Sequence, residues 1–240
     1  MRLLNKVSIK SVLINIIYPQ GIKCAVCGKD LFEENRYGIC SGCLLKANIR
    51  FCPKCGRAIG ETTNYCEDCT RYGREFTEAR APFIYEGKAK KLVYRLKYGG
   101  EKYLARFMAQ YLADEYYKRL WHIDFITYVP THTKREKTRG YNQAQLIANS
   151  LGEIINKPVV NALTRTKYSK NFAKLGRKER FKEAEESFAP NDKYKKKSIL
   201  LIDDVFTTGA TSGACAKALK SSGAGDVYVL TFCTSVCKND

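Results

Sequence analysis

The chain has 240 residues, 45% of them hydrophobic, which excludes a wholly disordered chain and allows one sizeable domain beside a smaller one. Lysine and arginine number 42 against 24 acidic residues, and the net charge of +18 favours a polyanionic partner such as nucleic acid, a phosphorylated metabolite or an anionic membrane. No apolar run is long enough to span a membrane, so we predict no transmembrane span and a cytoplasmic location. Association with the membrane through partner proteins is the alternative.

Residues 1–20 predict a short amphipathic helix that ends before Pro19. Its apolar residues recur at helical spacing, at Ile9, Val12, Leu13, Ile16 and Ile17. A signal peptide is the poorer interpretation, because Asn15 interrupts the apolar run and no small-residue cleavage site follows.

Eight of the eleven cysteines form four CxxC pairs, and without a signal peptide disulfides are the poorer interpretation. The pairs are Cys24/Cys27, Cys40/Cys43, Cys52/Cys55 and Cys66/Cys69. Four thiolates suit tetrahedral zinc, and the spacings C-x2-C-x12-C-x2-C and C-x2-C-x10-C-x2-C are those of zinc ribbons. We therefore predict a double zinc ribbon over residues 21–75 that holds two structural zinc ions.

Two questions about this block stay open in the sequence. Sequential pairing of the CxxC turns is favoured over a cross-brace, because local loops cost less chain entropy to close. An iron–sulfur cluster is an alternative to zinc, since clusters also use four cysteines. Catalytic zinc is disfavoured, because four thiolates leave no position for water.

Residues 80–240 are assigned to a second domain, in which apolar strands alternate with helices. We predict strands within residues 81–87, 124–130, 157–165, 198–202 and 226–233, and helices within residues 88–100, 102–120, 142–155 and 211–223. This alternation predicts the α/β class, with a parallel sheet covered by helices on both faces. Ligands bind such sheets beyond the carboxyl ends of the strands.

Two adjacent acids, Asp203 and Asp204, directly follow the apolar run Ile199–Ile202. A loop with hydroxyl groups and flexible backbone comes next and opens a helix, whose first N–H groups favour an anion. This loop and helix start comprise Thr207, Thr208, Gly209, Ala210 and Thr211. Carboxylates accept hydrogen bonds from ribose hydroxyls while such a loop holds a phosphate, so the pattern predicts a sugar-phosphate site.

The stretch ILLIDDVFTTGAT resembles the phosphoribosyl-pyrophosphate (PRPP) motif of type I phosphoribosyltransferases. The resemblance implies a phosphoribosyltransferase-like fold, contacts from Asp203 and Asp204 to ribose at the catalytic centre, and a 5′-phosphate on Thr207–Thr211. It also implies a pyrophosphate site, usually with Mg2+, in the loop VPTHTKREKTRGYNQ. The candidates there are His132, Lys134, Arg135 and Arg139, whose positive charge suits a diphosphate.

The whole order of motifs resembles the ComF family of competence-associated proteins. From Cys24 to Cys233 the CxxC pairs precede FIYEGKAKKLVYRLKYGG, VPTH, RGYNQ and IDDVFTTGAT in turn. The resemblance implies a role in DNA uptake during natural transformation, with single-stranded DNA and proteins of the uptake machinery as partners. The chain departs from the family at Phe172, where members commonly carry glutamine, so any contact made by that glutamine is absent.

Three basic segments, residues 88–97, 134–139 and 193–197, are candidate DNA contacts. The tyrosines expected to stack on bases are Tyr85, Tyr94, Tyr98 and Tyr141, for which core packing is the alternative. Two other functions stay open: a metabolic phosphoribosyltransferase that acts on a base or amine, and a zinc-ribbon nucleic-acid-binding protein with an inactive PRPP site. Whether the chain catalyses phosphoribosyl transfer is also open.

Overall fold

The computed structural model describes residues 23–31, 37–60, 64–167, 184 and 187–237, apart from the side chains of Tyr72, Lys134 and Arg135. The chain divides into two compact units, Met1–Leu44 and Leu45–Asp240. The predicted helix over residues 1–20 and the departure at Phe172 lie outside the described residues. The domain bounds 1–20, 21–75 and 80–240 stay predictions.

In each compact unit, the first CxxC turn has the same pattern of backbone hydrogen bonds. In the first, the amide of Cys24 donates to Lys29 O at 2.7 Å, and Gly28 donates back to Cys24 O at 2.8 Å. In the second, Cys52 donates to Arg57 O and Gly56 to Cys52 O, at 2.8 and 2.9 Å. Both glycines have a positive φ, 73° and 70°, which explains why glycine follows the second cysteine of each turn.

The second unit is built on a five-stranded parallel sheet. Its strands are β1 (Glu78–Arg80), β2 (Phe83–Ile84), β3 (Phe125–Tyr128), β6 (Ile199–Phe206) and β7 (Val227–Thr234). The spatial order is β1, β7, β6, β3, and β2 extends the β1 edge by pairing with β7. A separate antiparallel pair consists of β4 (Leu163–Arg165) and β5 (Phe188–Pro190).

Six α-helices are described, and they are α1 (Glu67–Tyr72), α2 (Gly87–Tyr98), α3 (Leu104–Tyr117), α4 (Thr133–Arg139), α5 (Gln143–Ile155) and α6 (Ala210–Ser221). Helix α5 begins at a capped turn, because the side chain of Asn142 accepts from the amides of Ala144 and Gln145. It ends at Asn156 in the left-handed conformation. Within the described residues, no helix has the length and apolar character of a membrane-crossing segment.

The strands of the sheet are buried on both faces, as parallel strands covered by helices should be. Ile199 and Leu201 of β6 share a core with α6 and the second cysteine group. On β7, Phe232 contacts the rings of Phe107 and Tyr111 on α3 at 6.2 and 6.3 Å. The predicted α/β architecture, a parallel sheet between helical layers together with a cysteine-rich ribbon, is confirmed.

Three local predictions differ from the structure. Within residues 157–165, Val159 forms a single parallel bridge to Ile126 of β3, and the strand itself is only Leu163–Arg165, which is antiparallel and outside the main sheet. The polar segment after β3, predicted as a loop, contains α4. The strand predicted to stop at residue 202 continues to Phe206 through both acids, since it pairs with β7 along that whole length.

Candidate functional site

The two acids lie near the carboxyl end of β6, beyond the last residue that β3 pairs with. Asp204 is 7% exposed and forms an ion pair with Lys97 of α2, with Nζ 2.8 Å from Oδ1. Asp203 is half-buried, and its Oδ1 accepts the backbone amide of Asp204 at 2.8 Å. Because successive strand residues face opposite sides of a sheet, the two carboxyl groups lie in different surroundings.

The pKa of Asp203 is strongly perturbed. Burial and then the neighbouring charge of Asp204 raise its pKa to about 7, against the lowering effects of Lys97, the Asp204 amide and Arg165. For Lys97, burial lowers the pKa, but the charges of Asp204 and Asp203 outweigh it and the net direction is upward. The Lys97 ammonium therefore stays charged near neutral pH, while Asp203 changes its charge there.

The loop after β6 is a Thr/Gly turn that leads directly into α6. Thr207 is exposed, Thr208 and Thr211 are half-buried, and Ala210 begins α6. Gly209 caps the helix in the left-handed conformation with φ of 77°. The amide of Ala210 donates to the hydroxyl of Thr208 at 3.3 Å, so that hydroxyl already takes part in the turn.

The second candidate loop contains α4 and the RGYNQ sequence. Arg139 is half-buried, donates to the Tyr98 hydroxyl at 3.1 Å and stacks on the Tyr98 ring at 4.7 Å. Tyr141 is buried and donates to Leu96 O at 2.5 Å, and Asn142 donates to Val129 O at 3.0 Å. Most of RGYNQ therefore fixes the start of α5 against α2 and β3. His132 is half-buried at the start of this loop.

Two cations at this end of the sheet were not among the sequence candidates for the sugar-phosphate site, although Lys97 ends a basic segment that was a candidate for DNA contact. Lys97 lies four residues after the buried Val93 and so occupies a position of the apolar stripe of α2. A lysine in that stripe is the sequence feature that could have identified it. Arg165 of β4 is close enough to Asp203 to lower its pKa, and it stacks on Phe188 at 5.3 Å. Nothing in its local sequence marks it, because β4 reaches this region only through tertiary folding.

The cysteines form two groups of consecutive pairs, as sequential pairing requires. Within each group the four sulfur atoms lie within 4.8 Å of one another. The sulfur atoms of Cys27 and Cys40 are 3.8 Å apart, and those of Cys55 and Cys66 are 3.5 Å apart. Four sulfurs about 2.3 Å from a tetrahedral zinc ion are about 3.8 Å apart, so the donor set and its spacing fit zinc.

Backbone amides help to prepare the first group for a metal. Burial raises the pKa of Cys24, but hydrogen bonds from the amides of Cys40, Cys27 and Val26 bring it down to about 6. The contact from Cys40 N to Cys24 Sγ measures 3.4 Å. A thiolate is the form that binds zinc, so these donors favour the liganding state.

These features define an α/β protein with two four-cysteine metal centres and a candidate anion site at the carboxyl edge of its sheet. Residues 13–70 match the domain family described as double zinc ribbon domain, which confirms the predicted ribbon and supports structural zinc in both groups. The chain is 28% identical over 227 residues to competence protein ComFC of Streptococcus pneumoniae, an alignment that covers 88% of this chain and 99% of the relative. It is 26% identical over 217 residues to competence protein F of Haemophilus influenzae, covering 86% and 94%. The predicted resemblance to competence proteins is confirmed.

One of the similar solved structures is the glutamine PRPP amidotransferase from B. subtilis, complexed with ADP and GMP. The TM-score is 0.37 and the identity 20%, over 52% of this chain. The match covers 25% of that structure, so the chain spans about a quarter of its length.

Proposed function

We propose that this protein binds PRPP or a related sugar phosphate and acts in DNA uptake during natural transformation. The observation that supports binding of such a ligand is the pair Asp203 and Asp204, which is followed by a Thr/Gly turn at the carboxyl edge of a parallel sheet. The DNA-uptake role is supported by relatives named competence proteins, which align along most of this chain.

Each part of the ligand has a group of matching chemistry. Ribose hydroxyls would donate to the carboxyl groups of Asp203 and Asp204. The 5′-phosphate would accept from the first amides of α6 and from the hydroxyls of Thr207, Thr208 and Thr211. The positive charge of Lys97, in its ion pair with Asp204, would offset part of the repulsion between the two adjacent carboxyl groups.

The pyrophosphate and its Mg2+ are assigned to the cationic loop that contains α4. Arg139 and His132 are half-buried there, and Lys134 and Arg135 remain candidates on the same helix. Mg2+ prefers phosphate oxygens together with one or two carboxylates, and the half-buried Asp203 is the carboxylate that we assign to it. The proposal concerns binding; transfer to an acceptor is tested separately, by release of pyrophosphate in the presence of candidate bases and amines.

The surface proposed for single-stranded DNA lies on α2, next to this site. Tyr94 and Tyr98 are 63% and 60% exposed, and their ring centroids are 4.8 Å apart. Arg139 covers one side of Tyr98. Exposed aromatic rings beside cations are the features with which proteins hold single strands, by base stacking and phosphate contacts. Tyr141, a sequence candidate for stacking, is buried and serves the core instead.

The direct test is calorimetry of the zinc-loaded protein with PRPP and Mg2+, for the wild type, Asp204→Asn and Asp124→Asn. Asp124 is a matched control, because it is an acid at the opposite edge of the sheet, where it accepts the amide of Ser198 at 2.8 Å. Loss of a charged acceptor at Asp204 should weaken binding about ten- to a hundredfold. Asp124→Asn should leave the affinity unchanged. Equal affinity in the wild type and Asp204→Asn, with both folded by circular dichroism, would contradict the assignment.

A further inference from the structure

A chain of buried charged groups runs from the second cysteine group toward the loop after β6, within one compact unit. Arg57 donates to Cys66 Sγ at 3.4 Å and forms an ion pair with Asp68. Asp68 lies on α1 between two metal-binding cysteines, Cys66 and Cys69, and is fully buried. A metal ion that fixes these two cysteines therefore also fixes the carboxylate between them.

Arg74 extends this chain to the candidate phosphate loop. Its guanidinium nitrogen lies 3.7 Å from Asp68 Oδ2 and donates to the carbonyl oxygen of Thr208 at 3.0 Å. The side chain of Arg74 is 2% exposed, so water competes little for this hydrogen bond. The loop backbone is thus held by a cation whose own position is set beside the metal centre.

This contact determines how the next peptide is oriented. The bond between Thr208 and Gly209 is a trans peptide, in which the C=O and N–H groups point in opposite directions. Because Arg74 holds the Thr208 carbonyl, the amide of Gly209 is turned away from Arg74. Anion-binding turns depend on backbone N–H groups with fixed directions.

The same segment supports the loop a second time, through aromatic packing. Phe76 is fully buried, and its ring meets that of Phe206 edge-on, with centroids 5.9 Å apart. The Phe206 ring in turn lies directly against Gly209, since a Cβ added there would be 2.5 Å from it. Arg74 therefore holds the backbone of the loop, and Phe76 packs against Phe206, the last side chain before the loop.

We propose that Arg74 is a positioning residue for 5′-phosphate binding, which transmits the geometry of the second metal centre to the loop of residues 207–211. The inference rests on the proposed sugar-phosphate function, because it assigns the phosphate to that loop. Arg74 acts through the Thr208 backbone, and Asp68 acts through Arg74.

The test compares Arg74→Gln, Arg74→Lys and Asp68→Asn with the control Arg71→Gln, all zinc-loaded. Arg71 is on α1 together with Asp68 and lies three residues before Arg74, but it is exposed and pairs with Glu67. Three quantities are measured: zinc content, amide hydrogen exchange of residues 207–211 without ligand, and affinities for ribose 5-phosphate and for inorganic pyrophosphate with Mg2+. The last ligand does not use the 5′-phosphate loop, so it separates local from general damage.

We expect Arg74→Gln to exchange faster at residues 207–211 and to bind ribose 5-phosphate about tenfold more weakly, with pyrophosphate affinity and zinc content unchanged. Asp68→Asn should act in the same direction, Arg74→Lys should recover part of the loss, and Arg71→Gln should match the wild type. Exchange and affinity in Arg74→Gln equal to those of Arg71→Gln would overturn the inference. If Arg74→Gln does not fold, Arg74→Lys and Asp68→Asn decide it by the same measurements. If the wild type does not bind ribose 5-phosphate, the proposed function fails, and the exchange rates alone still decide whether Arg74 holds the loop.

Discussion

Asp203 is the residue whose protonation governs the candidate site near neutral pH. Its pKa is raised to about 7, first by burial and then by the charge of Asp204. A carboxyl group in this range is present as both acid and carboxylate at neutral pH, so it can donate to or accept from a ribose hydroxyl. Binding of Mg2+ requires the carboxylate, so a ligand that brings Mg2+ should lower this pKa.

The raised pKa predicts a pH dependence of stability. Because the folded protein holds the Asp203 proton more tightly than the unfolded chain, the stabilisation by that proton is complete below the unfolded pKa and is lost as the pH rises toward about 7. Asp203→Asn should therefore be more stable than the wild type at about pH 8, by roughly 1–3 kcal/mol after allowance for partial exposure. This difference should shrink as the pH falls toward about 4.

Asp124→Asn provides a control of opposite sign. The amide of Ser198 and then Lys197 lower the pKa of Asp124, so its carboxylate stabilises the fold above its ordinary pKa. This variant should be the less stable one at neutral pH and should approach the wild type in acid. Denaturant unfolding of the ligand-free proteins across this range checks both, and a pH-independent difference for Asp203→Asn would contradict the perturbed pKa.

Among single residues, the sequence identifies the ones that local motifs mark. Asp203, Asp204 and the Thr/Gly turn stand in one continuous stretch, so their closeness follows from the chain itself. Lys97 and Arg74 come from elsewhere, 107 and 134 residues from their partners Asp204 and Thr208. Such pairs depend on tertiary packing, so a single sequence can mark a lysine within an apolar stripe, as at Lys97, but it does not identify the partner.

The candidate phosphate loop is sensitive to substitution at its glycine. Gly209 has a φ of 77°, and a Cβ there would lie 2.5 Å from the Phe206 ring. Gly209→Ala should lower the free energy of unfolding by about 1–3 kcal/mol and weaken PRPP binding, because both the backbone and the ring must shift. Gly213 on α6 is the matched control, since a Cβ there meets nothing within 4 Å. Gly213→Ala should raise stability by about 0.5–1 kcal/mol. Equal unfolding curves for the two variants would contradict this account of the turn.

Helix α2 is the element that we expect to stack against the bases of single-stranded DNA. Tyr98→Ala should reduce affinity for a single-stranded oligonucleotide by about 1–3 kcal/mol, the contribution of one stacked base. Fluorescence anisotropy at several salt concentrations measures it, and the salt slope should change little because no charge is removed. Tyr117→Ala is the control, an equally exposed tyrosine on α3. Equal losses in the two variants would exclude α2 as the stacking surface.

The elements that the sequence predicts well are those with a strong internal pattern. The first half of β6, Ile199–Ile202, is a continuous apolar run, β7 is mostly apolar, and α2, α3 and α5 carry apolar stripes at helical spacing. The failures are short or polar. Helix α4 has no apolar stripe in TKREKTR, and β4 joins β5 across a charged segment instead of the main sheet. Periodicity of apolar residues indicates a buried face, and these elements bury too few apolar residues to produce a periodic pattern.

At the scale of the whole molecule, the second cysteine group is part of the hydrophobic core that supports the sheet. Cys52, Cys55 and Cys66 belong to the same core as Ile199, Val227 and other strand residues. The CxxC spacing predicts the metal centre, but sequence spacing contains no information about what the centre packs against. The structure provides that information, and with it the path from Cys66 to the loop of residues 207–211.

The most direct measurement is the calorimetric titration of zinc-loaded wild type with PRPP and Mg2+, without and with a saturating single-stranded oligonucleotide. We predict one saturable PRPP site per chain. Arg139 is assigned to the pyrophosphate and also covers Tyr98 of the DNA surface, so bound DNA should compete for that cation and raise the dissociation constant for PRPP. No PRPP binding by a protein that still binds the oligonucleotide would contradict the central claim, and would mean that the acid pair and its loop no longer serve a sugar phosphate.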